Sequence, residues 1–256
     1  MNGIEIVLVV LASALVTGAA SYAIFRLVGV ELRRSHFEVG TAIFLQAGVI
    51  YAVFLAFIFG QALTSYVDAD NAVDQECAAL HGASIIATAL PAKQRGEIKD
   101  ALQTYLAAVI DPEWSVMRDT RRSSPVAEDA QIALLERANT LDLASPKDVA
   151  SQSRLVNQLL EAHRDREERI FQAGQGIPAG LWAMVLVYCG ALVGLVFFSS
   201  LENAWSHATM SAIFGALNAI VLLACFLLQY PFEGPFRLAS TSFAVTQARV
   251  QATLAP

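Results

Sequence analysis

Residues 39–67 read VGTAIFLQAGVIYAVFLAFIFGQALTSYV, and residues 68–87 follow as DADNAVDQECAALHGASIIA. The first stretch contains no Asp, Glu, Lys or Arg and is longer than the roughly 20 residues that a helix needs to cross hydrocarbon. The second has no Pro or Gly before Gly82, so the helix is expected to run on from the bilayer into water. In that extension Tyr66, Ala69, Val73, Cys77, Leu80, Ser84 and Ala87 recur at steps of three and four. This spacing predicts a narrow apolar seam that needs a partner helix.

Three more stretches are as apolar. Ile6 to Phe25, Ile177 to Leu201 and Ala208 to Phe232 lack all four charged residue types. They are continuously apolar rather than alternating, which argues for helices against barrel strands. Met1 to Gly3 carries no positive charge, and the first apolar run outlasts the core of a secretory signal, so it reads as a span. The chain is 55% hydrophobic and 16% charged, with a mean hydropathy of +0.50. Its charge is segregated: positions 68 to 176 hold 12 of the 17 Lys and Arg and 18 of the 23 Asp and Glu. The expected fold is therefore all-α, with four transmembrane helices grouped two and two around an inserted helical extramembrane domain. The expected boundaries are 1–66 for the first helix pair, 67–177 for the polar domain, 178–232 for the second pair and 233–256 for a tail.

Within the polar domain Pro91 restarts a helix whose apolar face is Ile98, Leu102, Tyr105, Leu106 and Val109, closing at Asp111-Pro112. Arg118 to Pro125 reads as a loop. A third helix, Val126 to Leu143, is expected to turn Ile132, Leu135 and Leu141 inward. Ser145-Pro146-Lys147-Asp148 is a helix start, and the helix that follows carries Val149, Val156, Leu159, Leu160, His163 and Ile170 on its apolar positions. The acidic excess of this domain argues against nucleic acid or anionic lipid as its partner. Only Cys77 of the three cysteines lies there, so no disulfide is expected. Arg33 and Arg34 in the first short loop oppose Arg164, Arg166, Arg169, Arg237 and Arg249 on the other side, and the balance favours a cytosolic polar domain.

Few residues in the spans suggest chemistry. Ala14 and Gly18, Gly190 and Gly194, and Ser211 and Gly215 are pairs of small residues four apart that let helix backbones approach, within a subunit or between copies. Ile50, Phe54 and Ile58 stack at four-residue steps, either as packing or, in an oligomer, as a dewetting neck. Gln46, Gln61, Thr64 and Asn218 are polar and are expected to face protein or water. The absence of charge at mid-membrane counts against a proton relay or coupled cation transport. Asp70, Asp74, Glu76, Cys77 and His81 form the densest group of potential ligands, but acids on a helix leaving the membrane are normally solvated, and no metal or other cofactor is expected. No hydrolase, nucleotide-binding or zincin motif occurs, and the histidines are scattered, so an enzyme is not expected.

Three stretches carry a resemblance: Tyr51-Ala52-Val53-Phe54-Leu55-Ala56-Phe57 through Val73-Asp74-Gln75-Glu76, Leu102 to Asp111-Pro112-Glu113-Trp114, and Tyr230-Pro231-Phe232-Glu233-Gly234. On these the chain resembles a bacterial family of four-span membrane proteins with a bestrophin-like domain. The resemblance implies a pentameric anion channel of the bacterial inner membrane, conducting chloride-type inorganic anions, with Ile50, Phe54 and Ile58 as its neck. Animal bestrophins follow their Pro-Phe-Gly motif with an acidic run that grips calcium. Here Pro235-Phe236-Arg237-Leu238 follows instead, so calcium gating is not implied. The alternative functions are a non-conducting scaffold that shows its helical domain to a soluble partner, and a stator-like energy-transducing subunit.

Overall fold

A computed structural model describes residues 2–28, 31, 37–197 and 203–255. Arg33 and Arg34, and the expected end of the third span at Leu201, lie outside the described residues. The described residues are helical with no strand, and they divide into two compact units. The first, residues 1–64 and 176–229, is apolar; the second, residues 65–175 and 230–256, is polar. Residues 230–256 therefore belong to the polar unit, and Phe243, Val250 and Leu254 enter its core.

Four helices are long and apolar enough to cross a bilayer: α1 (Gly3–Leu27), α2 (Phe37–Ala87), α7 (Ala179–Val196) and α8 (Ala204–Leu228). In the apolar unit, α1 lies against α8 because both present small residues. A methyl added at Gly18 would stand 3.2 Å from the Ala212 Cβ, and one added at Gly215 would collide with the Thr17 side chain. Ser13 Oγ donates to the Gly215 carbonyl at 3.1 Å across the same seam. Two of the three small-residue pairs thus act inside one subunit. Gly190 and Gly194 on α7 meet nothing within contact distance. A separate cluster joins α2 to α7 and α8 through Tyr51, Ile58, Ala62, Val185, Leu192 and Cys225. Gln229 closes the start of the second pair, its Oε1 accepting from the Ile177 backbone N–H at 3.3 Å and the Trp182 indole at 3.1 Å.

The polar unit packs the extension of α2 with α3 (Ala92–Ala108), a π-helical turn (Val109–Glu113), α4 (Trp114–Thr120), α5 (Pro125–Asn139), α6 (Pro146–Gly174) and α9 (Thr241–Thr253). From Ala69 to Ala87 the seam of α2 is buried as its spacing predicts, and this chain's own helices cover it, while Tyr66 at its start is only half-buried. Ser145 caps α6, its Oγ accepting from the Lys147 N–H, with Pro146 at the first helical position. Pro112 does not end the helix. It lies in the π turn, whose wider backbone relieves the clash between the ring and the preceding turn, so the chain stays helical into α4.

Two inward faces differ from expectation. On α5 the buried residues are Ala127, Gln131, Leu134 and Ala138; Leu135 packs partly buried against the core and Leu141, just beyond the helix, is buried as expected, but Ile132 points outward. On α6 Ser151, Leu155, Leu159, Ala162, Arg166, Arg169 and Ala173 are buried, while Val149 and Leu160 are exposed. The true stripe of α6 includes two arginines, and hydropathy alone rotates the face away from them.

The close α1–α8 seam sets a test. Gly215→Val should lower the stability of the detergent-solubilised protein by about 1–3 kcal/mol through overpacking, with partial recovery in the double variant with Thr17→Ala, whereas Gly190→Ala should be near neutral. Thermal unfolding of the three proteins checks this.

Candidate functional site

The sequence places two sets of residues in view, and the structure puts one on each unit. In the apolar unit, Gln46, Gln61 and Thr64 lie exposed on α2. Asn218 is half-buried and returns its Nδ2–H to the Phe214 carbonyl at 2.8 Å. The stripe at four-residue steps turns gradually about the helix, since four residues overshoot one turn. Ile50 is 56% exposed, Phe54 is half-buried, and Ile58 is 2% exposed within the α2, α7 and α8 cluster. The uncovered side of α2 near Ile50 instead continues through Val53 and Phe57, both exposed.

A polar group of which the sequence singles out only Ser211, and that for helix packing, sits between α1 and α8. Ser21, His207 and Ser211 are buried together: Ser21 Oγ lies 2.5 Å from His207 Nδ1, and Ser211 Oγ donates to Ser21 Oγ at 2.8 Å. In hydrocarbon such side chains serve as interhelical ties.

In the polar unit, two of the stretches that carry the resemblance meet at a residue that neither contains, and the third reaches it only through Trp114. Arg169 on α6 is fully buried and reaches Glu76 on α2 through Nε at 2.8 Å and Glu113 in the π turn through Nη2 at 2.7 Å. Arg166, one turn earlier, holds the same Glu113 by two bonds, 3.2 Å from Nε and 2.6 Å from Nη2. Tyr105 donates to Glu76 at 2.5 Å. Gln131 links Tyr105, Arg166 and His163, whose Nδ1 lies 2.9 Å from Gln131 Oε1. Trp114 and Phe243 flank the Arg169 guanidinium with ring centroids 5.3 and 5.2 Å from its carbon. Trp114 also meets Phe232 edge-on at 5.4 Å and donates its indole N–H to the Leu238 carbonyl at 3.1 Å. The π turn makes this possible, because it keeps Val109, Glu113 and Met117, at four-residue steps, on one buried side.

Two guanidiniums balance two carboxylates, so the centre is neutral overall. Burial pushes the Glu76 carboxyl up against the pull of Arg169 and Tyr105. The same burial acts on Glu113, but Arg169 and Arg166 together outweigh it and hold that carboxyl below the usual range. Every charge is matched and no nucleophile is exposed, so the chemistry is that of a clamp.

These contacts correct two expectations. Glu76 is not a solvated acid beside the membrane. The Arg166 and Arg169 charges are neutralised inside the fold and give no orientation signal. Asp70 and Asp74 are exposed while Glu76 and Cys77 are buried, and among the described residues no three His, Cys, Asp or Glu groups gather as metal ligands. Burial raises the Cys77 thiol to about 11. Asp111 is exposed; Pro231 is buried, and its carbonyl accepts from the Leu238 N–H at 2.8 Å; Gly234 adopts φ 71°, a left-handed position suited to glycine.

Comparison with known families matches residues 11–243 to the model described as the Bestrophin-like domain. Comparison with curated proteins finds no match. The chain is similar in structure to an aspartate-to-alanine variant of a bacterial bestrophin homolog from Klebsiella pneumoniae, with a TM-score of 0.74 at 12% identity over 98% of this chain and 100% of that one. It is similar to a leucine-to-threonine variant of the Klebsiella homolog, with a TM-score of 0.69 at 14% identity and the same coverage. A crystal structure of a membrane protein carrying a leucine-to-alanine change gives 0.73 at 12% identity, over 99% and 98% of the two chains.

Removing one member of the clamp leaves the others buried and unmatched. Arg169→Met should cost about 3–5 kcal/mol in detergent unfolding at neutral pH. The lowered pKa of Glu113 gives stability that is present above the ordinary carboxylate value and lost as pH falls through the folded one. Glu76 has the opposite sign, its contribution present at low pH and lost as pH rises through the folded value. Glu113→Gln should therefore destabilise more than Glu76→Gln at pH 7, and its deficit relative to the unaltered protein should shrink below the usual carboxylate range.

Proposed function

Because the chain belongs to the bestrophin-like family, we propose that it is a membrane ion channel: a passive, anion-selective pore formed by several copies, five by analogy with bestrophins. The match over residues 11–243 carries this reading, since it takes in both span pairs and the whole clamp. The permeant species are inorganic anions of the chloride type. The proposed setting is the bacterial inner membrane, with the polar unit in the cytosol.

The side of α2 left uncovered within one subunit supplies a suitable wall. It carries Gln46, Ile50, Val53, Phe57, Gln61 and Thr64, so apolar side chains are bracketed by uncharged hydrogen-bond donors. A ring of such faces gives a narrow segment where water is held weakly and amide or hydroxyl protons can face an anion at either end. The spans between Ile6 and Phe25 and between Val39 and Val67 hold no charged side chain, which suits passive conduction over a proton relay. The burial of Glu76 takes one carboxylate away from such a path.

Within the stripe Ile50, Phe54 and Ile58, the exposed Ile50 and the half-buried Phe54 are the constriction in this proposal, and Ile58 packs behind them. The scaffold alternative has lost its main motive, because the α2 seam is covered by this chain rather than waiting for a soluble partner.

The double variant Ile50→Ala/Phe54→Ala should raise single-channel conductance in planar bilayers severalfold. Ile58→Ala should leave conductance near that of the unaltered channel while reducing stability by about 2–5 kcal/mol. Equal conductance in the double variant and the unaltered channel, both active, would remove this neck.

A further inference from the structure

The turn that follows the last span is built tightly and yet turns an aromatic side chain outward. Its ties come from three directions. Leu238 N–H donates to the Pro231 carbonyl at 2.8 Å, and the Trp114 indole holds the Leu238 carbonyl. Glu233 receives the Arg121 guanidinium through both oxygens, 2.5 Å from Nε and 3.1 Å from Nη2, and the same guanidinium lies 3.5 Å over the Tyr230 ring. The Tyr66 hydroxyl donates to the Phe236 carbonyl at 2.9 Å. Phe232 is buried by this arrangement, whereas Phe236 is 53% exposed between exposed Pro235 and Arg237.

The Tyr66 bond fixes where this exposed group stands. Tyr66 lies at the end of the uncharged run that closes at Val67, one residue before Asp68, so the Phe236 backbone is a single tyrosine side chain away from α2 at the level where α2 leaves hydrocarbon. At that level an apolar aromatic ring meets the acyl boundary and an arginine extends its charged head to the phosphates. We propose that Pro235-Phe236-Arg237 is an interfacial anchor, with the Phe236 ring inserted at the acyl boundary and Arg237 on the phosphate of an anionic phospholipid. The acidic excess of the polar unit as a whole does not oppose this, because the contact is local to the rim of the spans. The inference rests on the membrane setting of the apolar helices and does not require that the chain conduct.

Photocrosslinking separates lipid from protein at this position. The full chain, with Phe236 replaced by 4-benzoylphenylalanine, is reconstituted in vesicles of phosphatidylethanolamine and phosphatidylglycerol, irradiated and weighed intact. A control carries the same group in place of Phe171, an exposed aromatic of the polar unit. The proposal expects phospholipid adducts at 236 in several-fold excess over 171, with phosphatidylglycerol enriched about fivefold over its bulk share and that enrichment lost in Arg237→Gln. Crosslinks to a second copy of the chain, or lipid adducts no more frequent at 236 than at 171, would overturn the anchor. Enrichment that survives Arg237→Gln would overturn the part given to the arginine.

Discussion

Arg169 organises the polar unit. A guanidinium without water must have its charge answered within hydrogen-bond reach, and here the answer comes from Glu76 on α2 and Glu113 in the π turn. Those two carboxylates in turn require Tyr105 and Arg166, and the stack of Trp114 and Phe243 closes the remaining sides. The extension of α2, α3, the π turn, α6 and α9 are therefore set by one planar cation. A geometry this demanding specifies a unique packing more than it adds net stability, because the cost of desolvating four charges offsets much of their attraction.

Most of the architecture is legible in the sequence because hydrocarbon leaves few choices. An uncharged run long enough to span must be a helix, and the segregation of charge marks where the polar unit begins and ends. The buried seam of α2 follows the same way from three-and-four spacing. What was not legible is the clamp. Arg166 and Arg169 look like solvent-facing residues to any hydropathy pattern, and reading them so turned α6 by enough to place Leu160 inside and hide the true stripe. The one available signal is positional: Glu76 and Glu113 both lie within stretches that carry the family resemblance, while their partner lies in none. Pro112 misled for a related reason, since proline normally stops a helix and here is absorbed by a π turn.

In the apolar unit the forces differ. Helices in lipid gain little from burying apolar surface against one another, so close backbone approach and a few hydrogen bonds decide their pairing. That is why α1 and α8 meet through Gly18, Gly215 and the Ser21, His207, Ser211 group, and why α7 is left with open glycines and α2 with an uncovered face. Such faces suit contact with lipid, with further copies, or with a water-filled path. The proposed pore assigns the α2 face bearing Ile50, Gln46, Gln61 and Thr64 to the last of these.

The most direct test of that assignment is the reversal potential of purified protein in a planar bilayer under a potassium chloride gradient, with the mass of the same oligomer determined in parallel. The channel account predicts an oligomer whose current reverses close to the chloride equilibrium potential. Reversal near the potassium potential, or reproducible silence from a well-folded, monodisperse oligomer, would contradict it.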